Sequence, residues 1–320
     1  MMDRAFLLIP NHIIGNAFGK VLFSTLDLLC GYAIYSILQT ESVSEAQRRT
    51  CTALWIFNPF VLFISTRGSA DSIVCFLVLA TIWCLKQKQY FLAGCIFGFS
   101  IHFKLFPIIY SLVFFLYCWR TENSSNLLTC VRACFQFAAS SILSFFVFTG
   151  IAWYLYGNRY LSESLFYHAI RMDCRHNYSL LFYPSYLGDS SAVSISFILQ
   201  AWLIFLVSCY YSQSLEIAVT LISFIFVAYN RVVTAQYFVW WLAPLISAIP
   251  FFAISTRKWI LLFLLYFGAQ NGWNAMAYAL EYEGKNTFVE IWIACILFFL
   301  SSVYFIYCLI EASKGKEKED

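Results

Sequence analysis

Charged side chains are scarce in this 320-residue chain: Asp, Glu, Lys and Arg make up 12% of it, while 61% is hydrophobic and 20% aromatic. A soluble domain carries about twice that charged fraction, so a water-facing globular surface is excluded for most of the sequence. The mean hydropathy of +0.73 agrees. Loop cysteines are nearly missing too. Of the 12 cysteines, those such as Cys30, Cys75, Cys84, Cys95 and Cys295 sit in apolar segments, where a thiol behaves as a small hydrophobe. Only Cys174 lies clearly in a loop, so no disulfide framework is implied. No P-loop, GxGxxG turn, nucleophile elbow or HExxH pair occurs; soluble nucleotide-sugar chemistry is not indicated, and neither is a nucleic-acid partner. The first apolar stretch, residues 6–9, is too short for the core of a cleavable signal peptide.

What is there instead is a succession of apolar runs between Val21 and Ile310, long enough to meet a bilayer repeatedly. They fall at roughly 17–39, 51–65, 70–86, 90–103, 105–119, 127–157, 192–211, 215–230, 236–254, 258–280 and 288–310. The expectation is an all-α polytopic membrane protein of about eleven transmembrane or re-entrant helices: one multi-span domain over residues 1–311 and a charged cytosolic tail over 312–320. The shorter runs are expected to be broken or re-entrant, which is tolerated only where the irregular backbone is covered by protein or lines a wet cavity.

The tail ends Lys316-Glu317-Lys318-Glu319-Asp320. Its lysines fit a di-lysine signal for retrieval to the endoplasmic reticulum, or simply a solvated end. With that end in the cytosol, alternation puts Arg48-Arg49, Lys86, Lys88, Arg120 and Arg257-Lys258 on the same side, as the positive-inside rule expects. The opposite face then holds Arg67, Lys104, Arg159, Arg171, Arg175 and Arg231. Cations gathered on the face that should lack them point to an anionic ligand such as a phosphate, against the plainer reading of basic chains snorkelling to the interface.

Four segments on that face carry candidate chemistry. In Ser65-Thr66-Arg67-Gly68-Ser69-Ala70-Asp71-Ser72, Gly68 permits a tight bend and Asp71 is expected to cap the following helix, whose open N–H groups with Arg67 would suit an anion; a cap with a local Arg–Asp pair is the alternative. In Gly98-Phe99-Ser100-Ile101-His102-Phe103-Lys104-Leu105-Phe106-Pro107, His102 and Lys104 interrupt a long apolar stretch, and ionisable groups at membrane depth are expensive and usually functional; the alternative is a turn lysine reaching the interface. The loop from Tyr167 to Ser179 is dense in His, Arg and Asp beside aromatics, which suits a phosphorylated polyol. It also contains the formal N-glycosylation sequence Asn177-Tyr178-Ser179. A zinc site from His168, Asp173, Cys174 and His176 has no standard ligand spacing. In the fourth, Tyr229-Asn230-Arg231 to Gln236-Tyr237, a polar cluster runs into Trp240-Trp241, which read equally well as an interfacial aromatic belt.

The strings FNPFVLFISTRGSADSIV, GFSIHFKLFPIIY, RHNYSLLFYPSYL and NRVVTAQYFVWWLAPL resemble, in colinear order, the PIG-M family of GPI mannosyltransferases. The resemblance implies a GT-C type fold in the endoplasmic reticulum membrane and dolichyl-phosphate-mannose as donor, with no cofactor known. It implies glucosaminyl-phosphatidylinositol as the acceptor of a first α-1,4-linked mannose at the luminal face, and a small regulatory membrane subunit of the PIG-X/Pbn1 type as partner. One departure stands out: the family's luminal loop with a paired-acid DxD motif has no counterpart here. The start at Met1-Met2-Asp3-Arg4 falls about where that motif has already passed, and an N-terminally shortened gene product is the expectation.

The chemistry expected is inverting transfer, with a carboxylate as general base and cations on the departing phosphate. Arg67, Lys104, Arg175 and Arg231 are the expected cations. His102, His176, Asn177, Gln236 and Tyr237 are candidates for sugar or headgroup contacts, and Asp71 and Asp173 are the substitutes for the missing base. No metal site is expected. Other readings are another lipid-donor glycosyltransferase, a transporter or scramblase, for which Asp27 is the best residue, or a non-catalytic subunit.

Overall fold

Polar residues at the breaks between apolar runs set the helix ends. Asn58 accepts hydrogen bonds from the amides of Phe60 and Val61, with Pro59 opening the helix behind it. Ser44, Asn126 and Ser255 cap in the same way, each satisfying backbone N–H groups that a helix leaves open at its start. The structure is a computed structural model that describes Gly15 and residues 17–122, 126–166, 176–188 and 191–316.

Among these residues regular structure is helical throughout and no strand occurs. The longer helices are α1 (Phe18–Thr40), α2 (Glu45–Ile56), α3 (Pro59–Thr66), α4 (Asp71–Lys86), α5 (Tyr90–Phe103), α6 (Ser111–Glu122) and α7 (Leu127–Tyr156), then a short α8 (Phe182–Tyr186), α9 (Ser191–Tyr211), α10 (Leu215–Tyr229), α11 (Phe238–Ala248), α12 (Thr256–Glu281) and α13 (Phe288–Lys316). Among the described residues, four helices are long and apolar enough to cross a membrane: Phe18–Thr40, Leu127–Tyr156, Ser191–Tyr211 and Phe288–Lys314. Three shorter apolar helices, Tyr90–Phe103, Leu215–Tyr229 and Ala235–Phe251, accompany them. At ~1.5 Å per residue such short helices fall below the ~30 Å hydrocarbon core.

Helices occupy the expected apolar runs, four of them long enough to cross a membrane where about eleven transmembrane or re-entrant segments were expected, and three runs are altered by local chemistry. The run expected at 51–65 is two helices, α2 and α3, because Asn58-Pro59 caps one start and ends the preceding turn. The run at 105–119 opens as a tight 3-10 turn over Phe106–Tyr110 that carries Pro107. The run at 236–254 is split between two 3-10 turns and α11, with Pro244 inside and Pro250 at its end. The last helix continues to Lys316, past the expected start of the tail.

The described residues pack as two compact units, one drawn from Met1–Arg171, Ser208–Thr220 and Leu242–Pro250, the other from Met172–Val207, Leu221–Trp241 and Phe251–Asp320. In the first, α5 meets α7 through glycine. A Cβ on Gly94 would lie 1.9 Å from Ser140 Oγ and 2.4 Å from the Phe137 carbonyl oxygen, and one on Gly98 would lie 2.1 Å from the Ser141 carbonyl oxygen. Gly94 and Gly98 are four apart, the small-xxx-small spacing that lets membrane helices touch backbone to backbone. Ser144 Oγ closes the contact by donating to the Cys95 carbonyl at 2.8 Å. The core of the second unit is aromatic: Trp241 lies 4.3 Å from Phe224 and Tyr266 lies 4.8 Å from Phe298, centroid to centroid.

Large apolar side chains also cover the outside. On α7, Phe135 is 70% exposed and Phe146 64%, and on α9 Ile195, Phe197 and Ile198 are each 67% exposed. Water would penalise such a surface, whereas lipid is a solvent for it.

Candidate functional site

In the first unit the site begins at the turn between α3 and α4. Gly68 bends it with φ +90°, a conformation that side chains with a Cβ rarely adopt. Asp71 does not cap α4 as expected. Ala70 holds that position without a side-chain cap bond, and Asp71 is the first helical residue. Its carboxylate is 1% exposed and takes Lys104 Nζ on Oδ1 at 2.6 Å, while Ser69 Oγ donates to Oδ2. Lys104 reaches it from the end of α5, where the backbone turns extended ahead of Pro107, and its side chain remains 27% exposed. A buried carboxylate is tolerable when paired and hydrogen-bonded, and here both oxygens are engaged. Arg67 stands exposed in the same turn, ending α3.

His102, two residues before Lys104, is buried. Its Nδ1 lies 3.1 Å from Thr149 Oγ1 on α7 and 3.3 Å from the Tyr160 hydroxyl. Neither partner was visible as such in the sequence, because each is a common residue in an apolar surrounding and only the fold brings it to the ring.

In the second unit a different arrangement holds the loop before α8. Asn177 is fully buried. Its amide nitrogen donates to the Arg231 carbonyl at 2.9 Å, and its amide oxygen accepts from the backbone N–H groups of Ser179 and Val233, both at 2.9 Å. Tyr178 N–H donates to the Val233 carbonyl at 2.9 Å, and Ser179 Oγ to that of Asn230 at 2.6 Å. The two polar stretches singled out in the sequence, around Asn177 and Arg231, are thus clasped by backbone hydrogen bonds, and the glycosylation sequence is used up as structure. The Tyr178 hydroxyl donates to Asn274 Oδ1 at 3.0 Å and accepts from Gln270 Nε2 at 3.4 Å; burial pushes its phenol up, and the Gln270 bond draws it partly back. His176 is exposed, with φ +51°, its Nε2 3.6 Å from Glu281 Oε1. Gln236 is exposed and Tyr237 half-buried, stacked on Trp240 at 4.0 Å. Trp240 and Trp241 belong to the core, at 4% and 0% exposure, and not to a headgroup-level belt. Asp173 and Arg175, with His168 and Cys174 of the considered zinc set, lie outside the described residues.

Small-residue helix contacts, an outer surface of large apolar chains and a buried amine–carboxylate pair at a helical turn define a helical membrane protein with a charged site. The chain belongs to the PIG-M mannosyltransferase family: the family model described as Mannosyltransferase (PIG-M) matches residues 64–310. GPI mannosyltransferase 1 of Dictyostelium discoideum is 35% identical over 96% of this chain and 77% of its own length. The GPI alpha-1,4-mannosyltransferase I catalytic subunit of Danio rerio is 34% identical over 98% and 82%, and GPI mannosyltransferase 1 of Saccharomyces cerevisiae 32% identical over 94% and 78%. Family membership makes the chain a glycosyltransferase.

Proposed function

We propose that the chain adds the first, α-1,4-linked mannose of the GPI anchor, taking it from dolichyl-phosphate-mannose and placing it on glucosaminyl-phosphatidylinositol at the luminal face of the endoplasmic reticulum. The reading rests on one observation above the others: the family match at residues 64–310 contains both partners of the Asp71–Lys104 pair. Names of relatives supply the linkage.

In this reading Lys104 meets the phosphate of the donor as charge develops on the leaving group, the moment at which a fixed cation contributes most. Asp71 aims it. With Lys104 on one oxygen and Ser69 on the other, Asp71 is an orienting group in this reading, with Asp71 and Asp173 still the substitutes for the missing base. Arg67, exposed in the adjoining turn, supplies a second cation. Asn177 shapes the second unit's loop, and His102, His176, Arg231, Gln236 and Tyr237 remain the candidates for sugar and headgroup contacts, with Asp173 and Arg175 beside them in the sequence. A GT-C type arrangement of about eleven segments with the C-terminus in the cytosol, and a PIG-X-type subunit, complete the proposal.

The test is restoration of GPI-anchored surface proteins in cells lacking the first GPI mannosyltransferase, with the small partner subunit supplied. The chain is tried as it stands and extended upstream in its reading frame. Restoration by either form, lost on Lys104→Ala, is the expected result. No restoration by either, despite normal abundance and reticular placement, overturns the reading.

A further inference from the structure

We infer that Asp27 is a positioning residue for the charged turn, holding Asp71 and, through it, Lys104 in place; the inference rests on the transfer reaction proposed above. Asp27 lies mid-way along α1, a helix apolar enough to span a membrane, and is 4% exposed. An acid at such a depth is costly and is kept where it has work to do.

Its partners show what that work is. Ser72 Oγ donates to Asp27 Oδ1 at 2.6 Å. Ser72 Oγ also lies 2.8 Å from Ser65 Oγ. A hydroxyl has one proton, and that of Ser72 points to the carboxylate, so Ser65 is the donor between the two serines. The chain of bonds therefore runs Ser65 to Ser72 to Asp27 and ends on the acid. Ser65 stands at the end of α3 and Ser72 at the start of α4. These are the two sides of the turn that carries Arg67, Gly68 and Asp71, so one carboxylate gathers both of its ends.

Neighbouring contacts fix α1 in register for this role. The Trp55 indole N–H donates to the Asp27 backbone carbonyl at 3.0 Å, and Cys30 Sγ, one turn further along α1, lies 3.6 Å from the Ser72 carbonyl oxygen. One turn before Asp27, Phe23 packs with Ala70 and Ile73, and Phe103, the residue next to Lys104, packs against that cluster. The α1 face bearing Phe23 and Asp27 thus contacts the neighbours of both members of the Asp71–Lys104 pair.

The test measures two things on the full chain in membranes. One is the reactivity of Lys104 toward an amine-acylating reagent, read by mass spectrometry against exposed Lys285 as reference. The other is donor kcat/KM and acceptor KM for mannose transfer. With the acceptor for Ser72 removed, Asp27→Ala is expected to raise Lys104 labelling several-fold and to lower donor kcat/KM by about tenfold, leaving acceptor KM unchanged. Asp27→Asn, which keeps an oxygen to accept from Ser72, is expected to restore both. Ser72→Ala, a smaller change that keeps the protein folded should Asp27→Ala not fold, is expected to repeat the Asp27→Ala result. Unchanged labelling and kinetics in Asp27→Ala and Ser72→Ala overturn the inference, as does an Asp27→Asn protein as impaired as Asp27→Ala. If the unmodified chain transfers no mannose, the transfer reading falls while Lys104 labelling still decides the positioning role.

Discussion

Lys104 and Asp71 form a pair in which one member is nearly closed off and the other still reaches outward, and this asymmetry governs how substitutions there should be read. Lys104→Ala removes a cation from the transferring phosphate, expected to lower kcat by about 10²–10³-fold. It also strands a buried carboxylate, a loss of about 3–5 kcal/mol when a buried ion pair is broken. The double change Asp71→Asn with Lys104→Gln separates the two effects, because neither charge remains. Its thermal melting in detergent should stay near that of the unmodified chain while transfer remains lost; recovered transfer would show that Lys104 matters for folding alone. The sequence makes Arg67, Asp71, His102 and Lys104 visible as ionisable residues in apolar runs. It does not show that Asp71 takes Lys104, since 33 residues separate them and only helix packing decides which charges meet. Asn177 is the reverse case. Its sequence is formally a glycosylation site and made it a candidate for sugar or headgroup contact, and the fold uses both the nitrogen and the oxygen of its amide. Asn177→Leu should therefore cost about 2–3 kcal/mol, from two buried backbone N–H groups and a part-buried carbonyl losing their partner, read as a lower melting temperature.

At the scale of whole helices, the α5–α7 crossing depends on having no side chain at two positions. Gly94→Ala places a methyl 1.9 Å from Ser140 Oγ and 2.4 Å from a backbone oxygen, and overpacking of this kind typically loses about 1–3 kcal/mol. Removing the Ser140 hydroxyl as well, by Ser140→Gly, should recover little of that, because the Phe137 carbonyl stays where it is; full recovery of the melting temperature in the double variant would mean that the helices are held apart by the serine alone. Since α5 delivers His102 and Lys104, transfer should fall in step with the melting. Helix ends were partly legible: Ser44, Asn58, Asn126 and Ser255 are capping residues placed at breaks in hydropathy, whereas Asp71, expected to cap α4, is its first helical residue. Breaks in the shorter apolar runs were expected, and Pro107 opens a 3-10 turn; hydropathy alone does not register what Pro59 and Pro244 do to a backbone. The Gly94-to-Gly98 spacing can be read off the chain, but its partner helix cannot.

For the molecule as a whole, ionic contacts gather at both ends of α4. Asp71 opens the helix in the site, and Lys86 closes it among Glu41 and Glu216, with Lys86 at 4% and Glu216 at 3% exposure and 2.9 Å apart. Lys88 and Tyr90 follow directly, both bonded to Glu122. At ~1.5 Å per residue these two ends stand roughly 24 Å apart. Glu216→Ala removes one of the two carboxylates from a buried lysine and should destabilise the chain by about 3–5 kcal/mol, whereas Lys86→Met with Glu216→Leu should be nearly neutral. Thermal melting of the two variants side by side checks this, and equal melting would mean that Glu41 alone suffices for Lys86. Composition alone foretold the apolar exterior, since little else was available to cover it.

The clasp at Asn177 bears on how each molecule comes to be made. Oligosaccharide attachment needs the Asn177 amide free, and the finished loop needs the same amide enclosed, so with the loop in the lumen, as proposed, modification and closure compete for one group during synthesis. A glycan once attached keeps the loop from closing in that copy. Folded molecules should consequently show no mobility shift on glycosidase treatment, and any copy bearing the glycan should be found among the chains handed to degradation. The pairing of residues 177–179 with 230–233 must wait until more than fifty intervening residues have emerged, which makes this region a race between the ribosome and the glycosylating enzyme.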